Sequence, residues 1–366
     1  MFEARMVRLT ARMTETGTDA VFVGPTSNMN WLAGFDPHGD ERPVMLVVGP
    51  KGAGFLMPAL NADSARKHTN LPFFEWSDAE GPADAFARLL SQTGIAELDR
   101  PSIALDETMR ADFAMMIVDA LPGAGRRFLA DTVGALRASK DDAEYKLLKM
   151  NALIDDATMQ AAFAALKPGM SELEAAEFIE QTFKAKGAAA EFVIVCFGEN
   201  GAFPHHHSGE RRLKDGDAVL IDIGGRKDGY PSDMTRVGYC GTPPEGFAEV
   251  ADVVERAVRA AVAAARPGAK ASDVDRAARE TIAAAGYGDR FLHRTGHGLG
   301  IDVHERPYIT ATSDVTLQVG NVFSIEPGIY LTGRFGVRLE EIVILRESGA
   351  EILSELSRAP LAVSRS

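Results

Sequence analysis

Carboxylates stand in this chain where an apolar strand has no ordinary use for a charge. Asp222 interrupts the run AVLIDIGG, and Glu326 interrupts VFSIEPG. A lone ionised carboxylate is too costly to bury unless it meets a cation, a metal or a proton. Any fold that keeps these runs as strands must therefore bring something positive to them. Asp233 follows Asp222 across the turn RKDGYPSD, enough chain to return antiparallel and put both acids on one sheet. Glu340 follows Val337-Arg338-Leu339 after the turn at Gly333 and Gly336. For Asp222 alone, an arginine partner would be the simpler outcome; four such acids favour a metal.

Six of the 8 histidines (His205, His206, His207, His293, His297 and His304) fall in the same part of the chain as these acids. Carboxylates with an imidazole suit a pair of divalent ions, and a water held between two such ions loses its proton near neutrality. The mixed donor set points to Mn, Co, Zn or Fe over Ca, and affinity order alone does not choose among them. The run Gly296, Gly298, Gly300 could suggest a phosphate loop. Flanked by histidines and without a lysine, it reads better as close backbone approach beside a metal site.

Length and composition set the frame. At 366 residues, 46 % apolar and 25 % charged, the chain has the make-up of a globular protein of more than one domain. A net charge of −13 disfavours nucleic acid or an anionic membrane as partner. The first residues lack a continuous apolar stretch, so a cytoplasmic location is expected. Cys196 and Cys240 are too few for a disulfide scaffold and read as buried thiols.

The first third alternates helical patterns (3–16, 83–92, 111–120) with short apolar runs (19–23, 44–48, 54–57, 103–105), an α/β arrangement without a dinucleotide or phosphate-loop signature. A long charged helical pattern begins near 138, and the domains are set at 1–134 and 135–366. The second part carries an internal echo. Lys167-Pro168-Gly169, then Ser171 and Glu174, opens a helical run ending at Gly187; Arg266-Pro267-Gly268, then Ser272 and Asp275, opens another ending at Gly286. A duplicated α-α-β unit is expected. Strands at 322–325, 336–345 and 350–353 have no room for crossover helices, which predicts a curved antiparallel sheet.

The motifs VLIDIGGRKDGYPSDMTR (219–236), HRTGHGLGIDVHERP (293–307), SIEPGIY (324–330), GVRLEE (336–341) and PHHH (204–207) resemble the pita-bread metallopeptidases. With NMNWLAGF (28–35) and an N-terminal α/β domain, the resemblance is to the creatinase, prolidase and aminopeptidase P branch, and it is nearest to compact bacterial Xaa-Pro dipeptidases. It implies an α+β catalytic domain of pseudo-twofold halves. It also implies Asp222, Asp233, His297, Glu326 and Glu340 as ligands of two divalent ions, most simply Mn²⁺, with Co²⁺ or Zn²⁺ as alternatives. In that reading Glu326 takes the proton of a metal-bridging water as it attacks the bond preceding proline. His205 and His304 stabilise the tetrahedral oxygen or pass a proton to the proline nitrogen. Arg338 contacts the acidic shell, His293 is a further active-site histidine, and Tyr230 touches substrate or packs beneath.

The implied substrates are proline-containing peptides, with Xaa-Pro dipeptides favoured over the longer peptides of an aminopeptidase P because the connection 331–335 is short. That same turn makes Arg334 a candidate anchor for a substrate carboxylate. Trp31, which replaces a tyrosine usual in the branch, is expected at a strand end. With His38 and Arg42 it is a candidate for specificity, and the region is expected to support a homodimer. A non-catalytic binding protein on the same fold is the rival from another class; such relatives lose ligands, and all five are retained here.

Overall fold

The computed structural model describes residues 2–37 and 39–363, so His38 lies outside the described residues. The chain divides into two compact units, Met1–Arg137 and Ala138–Ser366.

The first unit carries strands β1 (Ala20–Val23), β2 (Met45–Gly49), β3 (Gly52–Pro58), β4 (Phe73–Trp76), β5 (Ser102–Leu105) and β6 (Gly125–Phe128), in the order β4-β3-β2-β1-β5-β6. The β1–β2 and β2–β3 pairs are antiparallel and the other three are parallel. Its helices are α1 (Phe2–Thr16), α2 (Ser27–Ala33), α3 (Ala59–Ala65), α4 (Ala83–Gln92) and α5 (Ala111–Ala120), and α6 (Val133–Ala138) runs across the division. The expected helices and inner strands are present. The short edge strands β4 and β6 escaped the sequence because FFEW and GRRF are mostly half-exposed or exposed and show no clean alternation.

NMNWLAGF is helical, which corrects the expected strand end. Thr26 caps α2 by accepting from the Asn28 N–H, and Gly34, at φ +80°, ends it in a left-handed cap. Trp31 is 1 % exposed, its carbonyl accepts from Arg5 at 2.8 Å, and the Arg5 guanidinium lies 4.4 Å from its ring centre. Buried under Arg5, Trp31 has no face left for a substrate or a partner. Asn28 bridges Asp106 (3.0 Å) and Arg137 (2.6 Å), which explains a buried polar residue in this helix.

In the second unit, α7 (Asp142–Ala165) and α8 (Glu172–Ala185) precede β7 (Ala189–Phe197), β8 (Ala218–Lys227), β9 (Tyr230–Pro231) and β10 (Met234–Cys240). Then α9 (Phe247–Ala264) and α10 (Ala271–Ala284) precede β11 (Gly296–Gly298), β12 (Glu305–Ile309), β13 (Val322–Ile325), β14 (Gly328–Leu331), β15 (Phe335–Arg338), β16 (Glu341–Arg346), β17 (Gly349–Ile352) and β18 (Leu361–Val363).

The duplication is visible in the hydrogen bonds. Gly169 N–H donates to Leu213 O as Gly268 does to Leu317 O; Glu172 N–H donates to Arg211 O as Ala271 does to Val315 O. Gly169 and Gly268 share φ +88°. This register makes Ser171 the counterpart of Lys270 and Glu174 the counterpart of Asp273, whose carboxylate accepts from the Lys270 N–H. The expected Ser272/Asp275 cap is thereby corrected: Asp275 is fully buried one turn into α10 and accepts from the Thr295 N–H and hydroxyl.

The strands of the second unit form two five-stranded sheets (β18-β10-β8-β7 with β9 on β8, and β12-β11-β13-β16-β17) and the hairpin β14-β15, with β18 parallel to β10. The expected strand 336–345 is broken at Leu339-Glu340. The pairs Ile325–Glu341 and Gly328–Arg338 keep one antiparallel register across the break, so Glu326 and Glu340 stand opposite each other. Their backbone N–H groups point elsewhere, Glu326 to Thr295 O and Glu340 to Thr235 O. The interruption thus ties Glu340 to β10 of the first half and Glu326 to the residue preceding β11 of its own half. On β8, Ile221 and Ile223 enter the core formed with α7 and α8, while Leu220 enters the core formed with α9 and α10. Strand alternation puts Asp222 on the Leu220 side.

Candidate metal centre and substrate cavity

Asp222 faces Thr235 across the β8–β10 ladder, and Asp233 precedes β10 opposite Gly224, so both acids project from one face. The two-residue turn at Asp228 (φ +53°) and Gly229 (φ +83°) closes the hairpin and holds that register. His297 comes from β11 between two glycines that cannot be replaced. A Cβ on Gly296 would lie 1.8 Å from Ser324 O, and one on Gly298 2.2 Å from Arg306 O. The glycine run serves close strand approach.

Ligand atoms of Asp233, His297 and Glu340 lie within 4.8 Å of one another, all three residues buried. Nδ1 of His297 is 3.2 Å from Gly298 O, which can only accept, so Nδ1 carries the hydrogen. Nε2 then turns its lone pair toward Glu326 Oε1 (3.3 Å) and Asp233 Oδ2 (3.6 Å). Burial lowers His297 to about 3, with the neighbouring His304 adding to the shift, so the imidazole is neutral at neutral pH. Burial and the charge of Glu340 hold Asp233 well above the usual carboxylate range; burial and Glu326 do the same to Glu340. Burial pushes Glu326 up to about 7, with Arg338 opposing the shift and Asp222 adding to it. Glu340 Oε1 is buried without a hydrogen-bond partner. Converging acids, a neutral imidazole with its lone pair inward and an orphaned carboxylate oxygen fit a divalent cation.

Asp222 is held differently. Arg338 Nη2 donates to its Oδ2 at 2.7 Å and Thr235 Oγ1 lies 2.9 Å from its Oδ1, so the arginine partner considered from the sequence is present. Thr235 Oγ1 accepts from Arg338 Nε (3.0 Å) and can direct its single hydrogen to Asp222 or to Glu340 Oε2 (2.8 Å). Arg338 Nη1 donates to the Tyr330 hydroxyl (2.9 Å), which donates to His293 Nε2 (2.7 Å), while His293 Nδ1 donates to Arg294 O (2.8 Å). Burial keeps Tyr330 protonated, raising it to about 12, and lowers His293 to about 4. His293 thus spends both nitrogens on the protein.

These groups open into a cavity of about 730 Å³ lined by all five expected ligands together with His205, His293, His304 and Arg338. Phe192, Ile194, Pro204 and Val303 supply an apolar wall. His304 is exposed at the cavity, with its ring centre 4.1 Å from that of His297, and partial desolvation there lowers its pKa. Its loop is fixed from behind by a buried ion pair, Lys140 Nζ to Glu305 Oε1 at 2.7 Å.

Two expected residues of the second unit, Tyr230 and Arg334, do not line the cavity. Tyr230 is buried and donates to Glu144 Oε1 at 2.8 Å, packing beneath the sheet. Arg334 is exposed and bonded to Glu245 O at 2.6 Å, held by the backbone it folds against. Arg42, in the first unit, is paired with Asp78, Asp40 and Glu41. The sequence reading missed Arg294, which lines the cavity with its guanidinium 4.7 Å from the Tyr308 ring centre. It also missed Thr235, although Thr235 shares a strand face with Asp233 two residues before it, a period-two signal open to the sequence.

The profile of metallopeptidase family M24 matches residues 146–347, and that of the creatinase/prolidase N-terminal domain matches 5–138. The chain belongs to family M24. It is 36 % identical to the protein named "Probable dipeptidase PepE" of Mycobacterium bovis, over 96 % of this chain and 93 % of that one. Among solved M24-like folds, dipeptidase PepE from Mycobacterium ulcerans superposes with TM-score 0.93 at 34 % identity, covering 99 % of this chain and 98 % of that one. A recombinant prolidase from Thermococcus sibiricus superposes with TM-score 0.89 at 35 % identity, covering 99 % of both chains. This M24 chain is thus a metallopeptidase with a metal-binding Asp233/His297/Glu340 group. No described helix is long and apolar enough to cross a membrane.

Proposed function

We propose that the protein is a dinuclear-metal hydrolase of Xaa-Pro dipeptides, with 135–366 as its catalytic part and 1–134 as its accessory part. The observation that carries this reading is the cavity, in which five candidate ligands, the histidines His205 and His304 and Arg294, stacked on Tyr308, converge beside an apolar wall. Asp233, His297 and Glu340 would hold metal, with Asp222 and Glu326 completing two sites; Mn²⁺ is the simplest occupant, Co²⁺ or Zn²⁺ the alternatives. Bound there, divalent ions supply Lewis acidity and lower the pKa of water.

The chain's own residues do the rest. Glu326, near 7, accepts a proton at its carboxylate from the attacking water and can return it to the leaving nitrogen. His304, whose pKa desolvation lowers, and His205 face the same cavity and hydrogen-bond the developing oxyanion or the proline nitrogen. Arg338 fixes Asp222 and, through Tyr330, fixes His293. The apolar wall takes the proline ring, and Arg294 takes the free carboxylate that distinguishes a dipeptide from a longer peptide.

Rates on Ala-Pro, Ala-Pro-Ala and Ala-Pro amide test the assignment. The expected order puts Ala-Pro first, with amidation lowering kcat/KM by about 10-fold or more, the scale of a lost charge-assisted pair. Arg294→Gln should erase that preference and Arg334→Ala should leave it. A tripeptide cleaved as fast as its dipeptide, with indifference to amidation, would move the assignment to aminopeptidase P.

A homodimer and a cytoplasmic location complete the proposal. Trp31 and Phe35 are buried in their own unit, so the apolar side chains exposed on that unit, Leu60, Met115 and Phe128 among them, support the dimer instead. Light scattering at micromolar concentration should return twice the chain mass, and a single-chain mass would remove the dimer. Cell fractionation should find the protein with cytoplasmic markers.

A further inference from the structure

Among the cavity residues, His205 is the one least supported by its surroundings. It is exposed, and it lies in a stretch without helix or strand between the short turn Gly198–Ala202 and β8. Such a loop samples many conformations, and a histidine that must meet a reacting atom cannot.

Behind this loop sits Glu172, in the first turn of α8 and 0 % exposed. Its Oε1 accepts from the Phe197 N–H (2.8 Å) and Asn200 Nδ2 (2.9 Å). Its Oε2 accepts from the Gly209 N–H (3.0 Å) and lies 2.9 Å from Nε2 of His206, the neighbour of His205. All four partners come from residues 197–209, and they flank His205 on both sides. A carboxylate can accept two hydrogen bonds at each oxygen, so this one is saturated by the single loop it faces. The duplicated half gives the contrast. There the position equivalent to Glu172 is Ala271, and the segment leading to His297 is held instead by Asp275, through the Thr295 N–H and hydroxyl. The acid at 172 is therefore not demanded by the repeat itself; it follows the loop that carries His205.

We propose that Glu172 is a positioning residue for His205: a buried carboxylate that clamps the 197–209 loop so that the imidazole is presented to the substrate. The proposal rests on the role given to His205 above. Glu172 does not touch the substrate and acts only through the loop.

A double-mutant cycle on kcat, with metal content and thermal midpoint measured alongside, tests it. Glu172→Gln keeps one acceptor oxygen but sets an amide where the Gly209 N–H and His206 are received. It should lower kcat for Ala-Pro by about 10-fold or more, within the range a small misplacement of a reacting group produces, with KM and bound metal little changed. In a His205→Ala background the same substitution should cost less than about 2-fold, since two changes acting through one group do not add. If His205→Ala alone leaves kcat unchanged, the role of His205 fails and the proposal with it. If His205→Ala is impaired and Glu172→Gln lowers kcat equally in both backgrounds, the role of His205 stands and the clamp is overturned. Should Glu172→Gln not fold, Asn200→Ala removes one donor and leaves the acid, and the same cycle decides.

Discussion

Glu326→Gln should lower kcat on Ala-Pro by about 100-fold or more while the protein keeps most of its divalent metal. Proton transfer by a positioned carboxylate contributes on the order of 10²- to 10⁴-fold, and glutamine retains an oxygen but cannot take the proton. Two features single out this acid. Burial brings it to about 7, where it is partly ionised at neutral pH, and its Oε1 accepts from the Ser324 hydroxyl at 3.1 Å, which fixes its direction. Asp233→Ala should behave differently, because Asp233 belongs to the converging group and its loss should lower metal affinity first. Calorimetric titration with Mn²⁺ separates the two. A Glu326→Gln protein with near-native turnover would remove Glu326 as the base.

Metal removal should abolish turnover, and a divalent transition ion should restore it. The same ion should stabilise the fold more as the pH rises. Burial raises the pKa values of Asp233, Glu340 and Glu326, and a neighbouring acid adds to each shift: Glu340 at Asp233, Glu326 at Glu340 and Asp222 at Glu326. A metal-free folded chain therefore holds protons near neutrality that the unfolded chain has already released, and its stability falls as the pH climbs through that range. His293 and His297, lowered to about 4 and about 3, favour the opposite slope, but only below about 6.5, where an unfolded histidine takes up a proton. Above that these histidines no longer contribute, and the buried acids do. The thermal shift produced by Mn²⁺ should thus be larger at pH 8 than at pH 6, and binding near pH 6.5 should release protons, measurable by calorimetry in buffers of different ionisation enthalpy. Proline-peptide turnover by verified metal-free protein, or a shift that shrinks as the pH rises, would contradict the metal assignment.

Much of this was written in local pattern. Strand alternation around Asp222 and Asp233, the Asp-Gly turn between them and the glycines around His297 depend on residues within a few positions of each other, so backbone geometry alone exposes them. The same locality made the helix NMNWLAGF hard to read. Its cap at Thr26 and left-handed Gly34 are short signals, and the burial of Trp31 depends on Arg5, far away in sequence. The misplaced cap at Ser272 had a similar cause. Asp275 fits the local spacing of a cap, but its actual partner, Thr295, is brought in only by the folded sheet.

The sequence by itself determined the two-part α/β and α+β architecture, the duplicated halves and the acids that would gather, because an acid inside an apolar run has few places to go; which histidines join them came with the resemblance to the pita-bread metallopeptidases. Tertiary structure decided which groups share one space. It set Arg294 rather than Arg334 on the cavity, tied Asp222 to Arg338, turned Tyr230 toward Glu144, and put Glu172 behind the His205 loop. Those outcomes hang on contacts between residues tens of positions apart. Only the closed sheets and the packed helices bring such partners within hydrogen-bond reach, and a buried carboxylate's partner is whichever donor the packing delivers to it.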